Sequence, residues 1–314
     1  MKSFSASVLV ALASSASLVH AHGWVSAITA NGKKYDAPDP YQNPMDSPQR
    51  QITTLDPVKD LNGEELTCGY GAKSAPLTME VTAGTEITYE WACLWGGSQF
   101  WPHEQGPVML YAYKCEGEAQ DCQPGRNAGW ALIDAAGFLE GGGPFDWVQG
   151  RFKKGEGVPA RVPAGMPDGT YLFRHEIISL HIADSDGPEF YPSCTQVRVV
   201  GGTKNATLES MGADLVSLPG AYKQGEDGLF KSIFDENIKS YYAMPGPKLF
   251  NPPAGQQPSE TPTGTEPETG SGTTPTPTPT KTMCSPKQRL AKKTRREQRL
   301  RARALKKSRD ARKA

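Results

Sequence analysis

Apolar and polar positions alternate with a period of two along most of the first 250 residues, and that period predicts strands. In "HGWVSAITANGKKY" (22–35) two short alternating runs flank Asn31-Gly32, a dipeptide suited to the tight turn of a β-hairpin. "APLTMEVTAGTEITYEWACL" (75–94) repeats the pattern, with Leu77, Met79 and Val81 before a turn at Ala83-Gly84 and Ile87, Tyr89 and Trp91 after it. "PVMLYAYKC", "TYLFRHEIISL" and "TQVRVVGG" are further strands, rich in β-branched and aromatic residues. Turn-rich connections such as "FLEGGGPFDWVQGRFKKGEG" separate them, and "GLFKSIFDENI" reads as a short helix. Many short strands with such links predict an all-β fold, a sandwich rather than βαβ units.

The pattern stops at both ends. Met1-Lys2 followed by an uncharged run from Phe4 to Val19, with small residues Val19 and Ala21 before the cut, reads as a secretory signal over residues 1–21. The mature chain then begins at His22. Residues 22–250 form the β domain, and 251–283 are a Pro/Thr-rich linker that cannot bury a core and suits O-glycosylation. Residues 284–314 are a basic tail. From Ser285 onward, fourteen Lys or Arg face two acidic residues, near +12, so the formal net charge of zero hides a body near −12. The tail's charge suits anionic wall polymers or membrane surfaces; a secreted chain argues against a nucleic-acid role. No run of about 18 apolar residues suggests a membrane span. Asn205-Ala206-Thr207 permits N-glycosylation.

Secretion makes the six cysteines candidates for disulfides, with 15 complete pairings open. The histidines carry the chemistry. After the signal is cut, His22, His103, His175 and His181 remain. An N-terminal histidine offers an amine and an imidazole to one metal ion, and a second imidazole completes a three-nitrogen set. Nitrogen-rich tetragonal sets favour copper(II).

"HGWVSAITANGKKY", "LTCGYGA", "WPHEQGPVMLYAYKC", "YLFRHEIISLHIADSDGPEFYPSCTQVRVVGG", "SLPGAY" and "YYAMPGPKLF" together resemble the fungal lytic polysaccharide monooxygenases of auxiliary-activity family 9, in order and spacing from His22 to Phe250. The resemblance implies an immunoglobulin/fibronectin-like antiparallel β-sandwich with long loops and a flat copper-bearing face. It implies one type 2 copper ion held by His22 and His103, with Tyr191 as axial residue and His181 hydrogen-bonding oxygen species beside the metal. It implies O2 or H2O2 as co-substrate, an external electron donor or donor enzyme, and oxidative cleavage of β-1,4-glucans such as cellulose at C1 or C4. A secreted monomer acting on insoluble β-glucan is the expected setting. The resemblance also suggests Cys68–Cys194 and Cys115–Cys122 as disulfides, leaving Cys93 buried and Cys284 without assignment. Tyr222 and Tyr242 are candidates for stacking on sugar rings, and His175 belongs to a buried polar network.

One position departs from the family pattern: Glu189 stands where Gln is usual, two residues before Tyr191. An amide can donate a hydrogen bond into the site, whereas an ionised carboxylate only accepts. The segment between His181 and Glu189 also reads as slightly shortened. Two rival functions are a secreted copper-binding protein without cleaving activity and a non-catalytic cell-wall polysaccharide-binding protein. A glycoside hydrolase is disfavoured, since no carboxylate pair stands out as acid and base.

Overall fold

The computed structural model describes residues 22–93 and 100–251; the signal, the linker beyond Asn251, the basic tail and Cys284 lie outside the described residues. Strands β1 (Gly23–Ala30) and β2 (Lys33–Asp36) form the expected hairpin, with Asn31 and Gly32 both at positive φ in the turn. β1 also pairs with β4 (Glu86–Cys93), which pairs with β7 (Val158–Arg161), giving a four-stranded sheet ordered β2-β1-β4-β7. The second sheet contains β3 (Met79–Thr82), β5 (Val108–Lys114), β6 (Trp130–Ala136), β8 (Gly169–Ser179), β9 (Glu189–Val200) and β10 (Leu215–Val216), ordered β10-β6-β5-β8-β9-β3. The result is a β-sandwich, antiparallel except where β3 runs parallel to β9.

Two parts of the sequence reading are corrected. The segment 75–94 is not a second hairpin, because β3 and β4 belong to different sheets. The amides at the turn are already committed: Ala83 N–H donates to Val200 O at the end of β9, and Gly84 N–H to Val162 O just beyond β7. "GLFKSIFDENI" is not one helix either. Single turns, α3 (Asp227–Phe230) and α4 (Ile238–Tyr241), lie at its ends, and the chain extends at Lys231 so that Ile233 reaches the interior. Strand β6 and helix α2 (Gln149–Lys153) were not read from the sequence; α2 lies within the Gly/Pro-rich connection.

Every residue of β8 after Gly169 is buried, so both faces of the central strands are covered. One face joins Leu110, Phe173, Ile177 and Val197 to Ile28, Ile87 and Tyr89 of the other sheet. The opposite face, with Met109, Tyr111, Leu172, Ile178 and Phe190, packs under the long loops. Both expected disulfides are present. Cys68–Cys194 joins α1 (Glu65–Cys68) to β9 across 126 positions, and Cys115–Cys122 closes a small loop after β5. Cys93 is buried and stands outside both.

The period of two also separates His175 from its neighbours. Arg174 and Glu176 pair on the loop-covered face, where Arg174 donates to Leu66 O and Glu176 accepts from Tyr222. His175 points between the sheets, stacks on Tyr89 at 4.0 Å and accepts a 3.2 Å hydrogen bond from Trp91 Nε1. Its Nε2, which must then carry the proton, is buried without a hydrogen-bond partner. Burial, then the adjacent Arg174 charge, pushes its pKa down to about 3. The unfolded chain binds the extra proton below about pH 6.5, so this contribution to stability is complete above that pH and drains as pH falls towards 3. We expect His175 to cost the metal-free protein about 2 kcal/mol between pH 7 and 5, at roughly 1.36 kcal/mol per pH unit. Urea unfolding midpoints at the two pH values, in chelator, measure this; a His175→Phe variant should lose correspondingly less.

Candidate metal centre

Four separate elements deliver side chains to one end of the sandwich. His22 sits immediately before β1, whose first pair is Gly23 with Cys93. That end of β1 is tightly held: a Cβ at Gly23 would lie 2.3 Å from Ala92 O and 2.9 Å from the Trp101 ring. His103 lies on the loop entering β5. Gln149 of α2 fixes that loop, donating to Pro107 O and Ile178 O and accepting a 3.3 Å hydrogen bond from Trp101 Nε1. Gly106 in the same loop has φ +120°, and a side chain there would meet Ile178 O at 2.0 Å. β8 and β9 supply the remainder, because their last pair is Ser179 with Glu189.

Trp101 is the shared wall. Its ring meets Tyr191 edge-on at 4.8 Å and His103 at 5.3 Å, and it rests on Trp91 at 5.4 Å. Tyr191 lies 6.4 Å from the His22 ring, centroid to centroid. Glu189 and Tyr191 are two apart on β9 and share a face, so the phenol donates a 2.9 Å hydrogen bond to Glu189 Oε2. That carboxylate is only 7% exposed and lies 4.0 Å from His103 Nε2. The His103 and His181 rings stack at 4.0 Å, and Ser179 Oγ bonds His181 Nδ1 at 2.9 Å. The five residues singled out by the sequence, His22, His103, His181, Glu189 and Tyr191, are thus gathered in one place.

Protonation follows from burial. Tyr191 is held well above the ordinary phenol range by burial and then by the Glu189 carboxylate, so it remains a neutral phenol. Burial lowers His181; Glu189 opposes that shift and Lys59 adds to it. His22 and His103 offer imidazole nitrogens beside a neutral phenol, a set whose chemistry fits copper(II). His103, His181 and Glu189 also present one donor atom each within 4.8 Å of one another.

Sequence reading missed Asp56, Lys59 and Gln149, which no motif flags, and assigned no role to Trp101, although it opens the segment "WPHEQGPVMLYAYKC". Asp56 Oδ1 is 3.3 Å from His22 Nδ1, while Lys59 pairs with Asp186 and stands 3.9 Å from Glu189 Oε1. Tyr222 and Tyr242 require correction as sugar-stacking candidates. Tyr222 is 3% exposed, with its hydroxyl between Tyr111 and Glu176. Tyr242 is half-buried against Phe138 and Trp147 and donates to Gly228 O. Tyr41, by contrast, is 60% exposed and its hydroxyl accepts from the Leu55 amide beside Asp56. Asn205 is exposed in a turn.

Comparison with known proteins identifies relatives of the chain as a whole. The sequence model of Auxiliary Activity family 9 (formerly GH61) matches residues 22–242. A lytic polysaccharide monooxygenase D of that family from Gloeophyllum trabeum is 40% identical over 79% of this chain and 70% of its own. A monooxygenase B from Malbranchea cinnamomea is 34% identical over 74% of this chain and 94% of its own. The crystal structure of a cellulose-active polysaccharide monooxygenase from M. thermophila superposes with a TM-score of 0.62 at 30% identity, covering 74% of this chain and all of that one.

Removing the Tyr222 hydroxyl leaves a buried Glu176 oxygen short of a donor. Tyr222→Phe should therefore lower stability by about 1–3 kcal/mol and leave binding to polysaccharide unchanged. Thermal melts and a pull-down on insoluble glucan measure the two; weakened binding with unchanged stability would reinstate Tyr222 as a surface residue.

Proposed function

We propose that this chain, which belongs to Auxiliary Activity family 9 and so to the lytic polysaccharide monooxygenases, is a secreted copper enzyme that cleaves β-1,4-glucans, cellulose first, at C1 or C4. The observation that carries this reading is the convergence of His22 and His103 on the Trp101–Tyr191–Glu189 cluster. His22, through its imidazole and the α-amine freed by signal cleavage, and His103 would hold one copper ion. That ion supplies one-electron redox chemistry for activating O2 or H2O2 with electrons from an external donor.

The chain's own residues orient and exclude. Trp101 packs on both His103 and Tyr191, fixing ring planes that would otherwise rotate. Tyr191, protonated and tied to Glu189, closes one side of the site and keeps water from it. His181, held through Nδ1 by Ser179, aims Nε2 towards the site as a hydrogen-bonding group. Tyr41 offers an exposed ring for a sugar on the same side as Asp56 and His22. Asn205 is a glycosylation position, and the Pro/Thr segment separates the domain from a basic tail that holds anionic surfaces.

Glu189 favours the second reading, copper binding without polysaccharide cleavage. A buried carboxylate 4.0 Å from His103 would favour the more positive state of a metal held there and oppose its reduction.

Protein with a verified His22 start, one equivalent of copper, ascorbate and amorphous cellulose should release aldonic acids or C4-oxidised oligosaccharides, read by mass spectrometry. His22→Ala should reduce these about 100-fold or more. Tight copper binding with no oxidised product on any β-glucan would select the second reading, with Glu189→Gln the variant that restores cleavage.

A further inference from the structure

The metal centre holds a second set of ligands that makes no use of the chain's N-terminus. We propose that His103, His181 and Glu189 form a two-histidine, one-carboxylate site for a divalent cation such as zinc, an alternative to the pair His22 and His103 that shares His103 with it. Two imidazoles and one carboxylate are a complete set of protein ligands for a zinc ion with an open fourth position.

The distances are close to those required. The three donor atoms lie within 4.8 Å of one another, and His103 Nε2 is 4.0 Å from Glu189 Oε2. Tetrahedral zinc, with bonds of about 2.0–2.1 Å, places its donors roughly 3.3 Å apart. The excess is about 0.7 Å for the His103–Glu189 pair and at most about 1.5 Å for the others, and closing it takes a shift of the loop carrying His181, whose ring must tilt out of its stack on His103 while Trp101 keeps the His103 plane.

The donors are also oriented. Ser179 Oγ occupies His181 Nδ1 and leaves Nε2 for the metal, the arrangement by which a neighbouring group fixes which histidine nitrogen ligates. Tyr191 steadies Glu189 from one side. The ion-pair partner of Glu189 is Lys59, at 3.9 Å and already closed on the more exposed Asp186. A carboxylate 7% exposed with so loose a counter-charge gains from a cation at bonding distance. A glutamine at 189 has no charge to offer, so the departure from the family pattern is what completes the site.

His103 belongs to both sets, so the two metals exclude each other. A chain whose His22 amine is blocked can still carry a divalent ion here, and zinc bound in this way withholds His103 from copper.

The test removes the first set and asks whether the second persists. His22→Ala protein, stripped with chelator, is titrated with zinc by calorimetry, and cobalt(II) absorption reports the coordination geometry. Zinc is used because, unlike copper, it does not readily displace backbone amide protons near an N-terminus. We expect one zinc per chain in His22→Ala, at least tenfold weaker binding when Glu189→Gln or His181→Ala is added, and tighter binding with Lys59→Met. Circular dichroism and melting midpoints verify that each variant is folded. Absence of zinc binding in folded His22→Ala, or a loss of less than tenfold with Glu189→Gln, overturns the proposal. Because His22→Ala removes one imidazole of the copper set and the readout is zinc binding, these outcomes are independent of whether oxidised sugars form.

Discussion

Eleven consecutive antiparallel pairs join β8 to β9, from Gly169 with Val199 to Ser179 with Glu189, and the site hangs from the end of that ladder. Both strands are buried on two faces, so a slip of one residue would exchange the inter-sheet core for the loop-covered core. It would also carry His175 into the position of Arg174. Register is therefore strongly fixed, and with it the placement of Glu189 and Tyr191 on one face, with Ser179 paired to Glu189 on that same face and bonded to His181. The Cys68–Cys194 bond and the parallel strand β3 secure β9 along its length.

A second constraint comes from the loop before α1. Val58 and Phe190 exchange two backbone hydrogen bonds, of 2.8 and 3.1 Å, which strap the loop to β9 beside the site. From that strap Asp56 reaches His22 on one side and Lys59 reaches Asp186 and Glu189 on the other. Of these only Lys59–Asp186 is exposed on both sides, and such a pair contributes little to stability, about 0–1 kcal/mol. Their importance is positional: one short segment sets the charge beside both halves of the candidate metal centre. The same strap brings Tyr41 near, through Leu55.

Much of this was legible in the chain. Asn31-Gly32 marked a hairpin because both residues tolerate positive φ, a local property. Alternation located β1, β4, β5, β8 and β9, since burying one face of a strand imposes its own period. It could not say which strands pair: the turn at Ala83-Gly84 resembles a hairpin turn, yet its amides are taken by two different sheets. Strand β6 escaped notice, lying among Gly-rich connections, and α2 is too short to establish a period. The aromatic candidates failed for a related reason. Tyr222, Tyr242 and Tyr41 look alike in sequence, and only the residues packed around each ring separate the buried from the exposed.

The sequence by itself determined the chemistry available to this protein: a histidine directly after the expected signal, three more histidines, a Glu-Phe-Tyr segment and cysteines that pair as the family resemblance suggested. These are matters of residue type and short spacing, which a chain carries whether folded or not. The tertiary structure decided what each group faces. It turned His175 inward while Arg174 and Glu176 turned outward, set Trp101 and Gln149 behind His103, and brought Asp56 and Lys59 from a distant loop to His22 and Glu189. Apart from the Arg174–Glu176 pair, those contacts join residues about thirty to more than a hundred positions apart, and their energies depend on burial and distance, quantities that exist only once the sheets have packed.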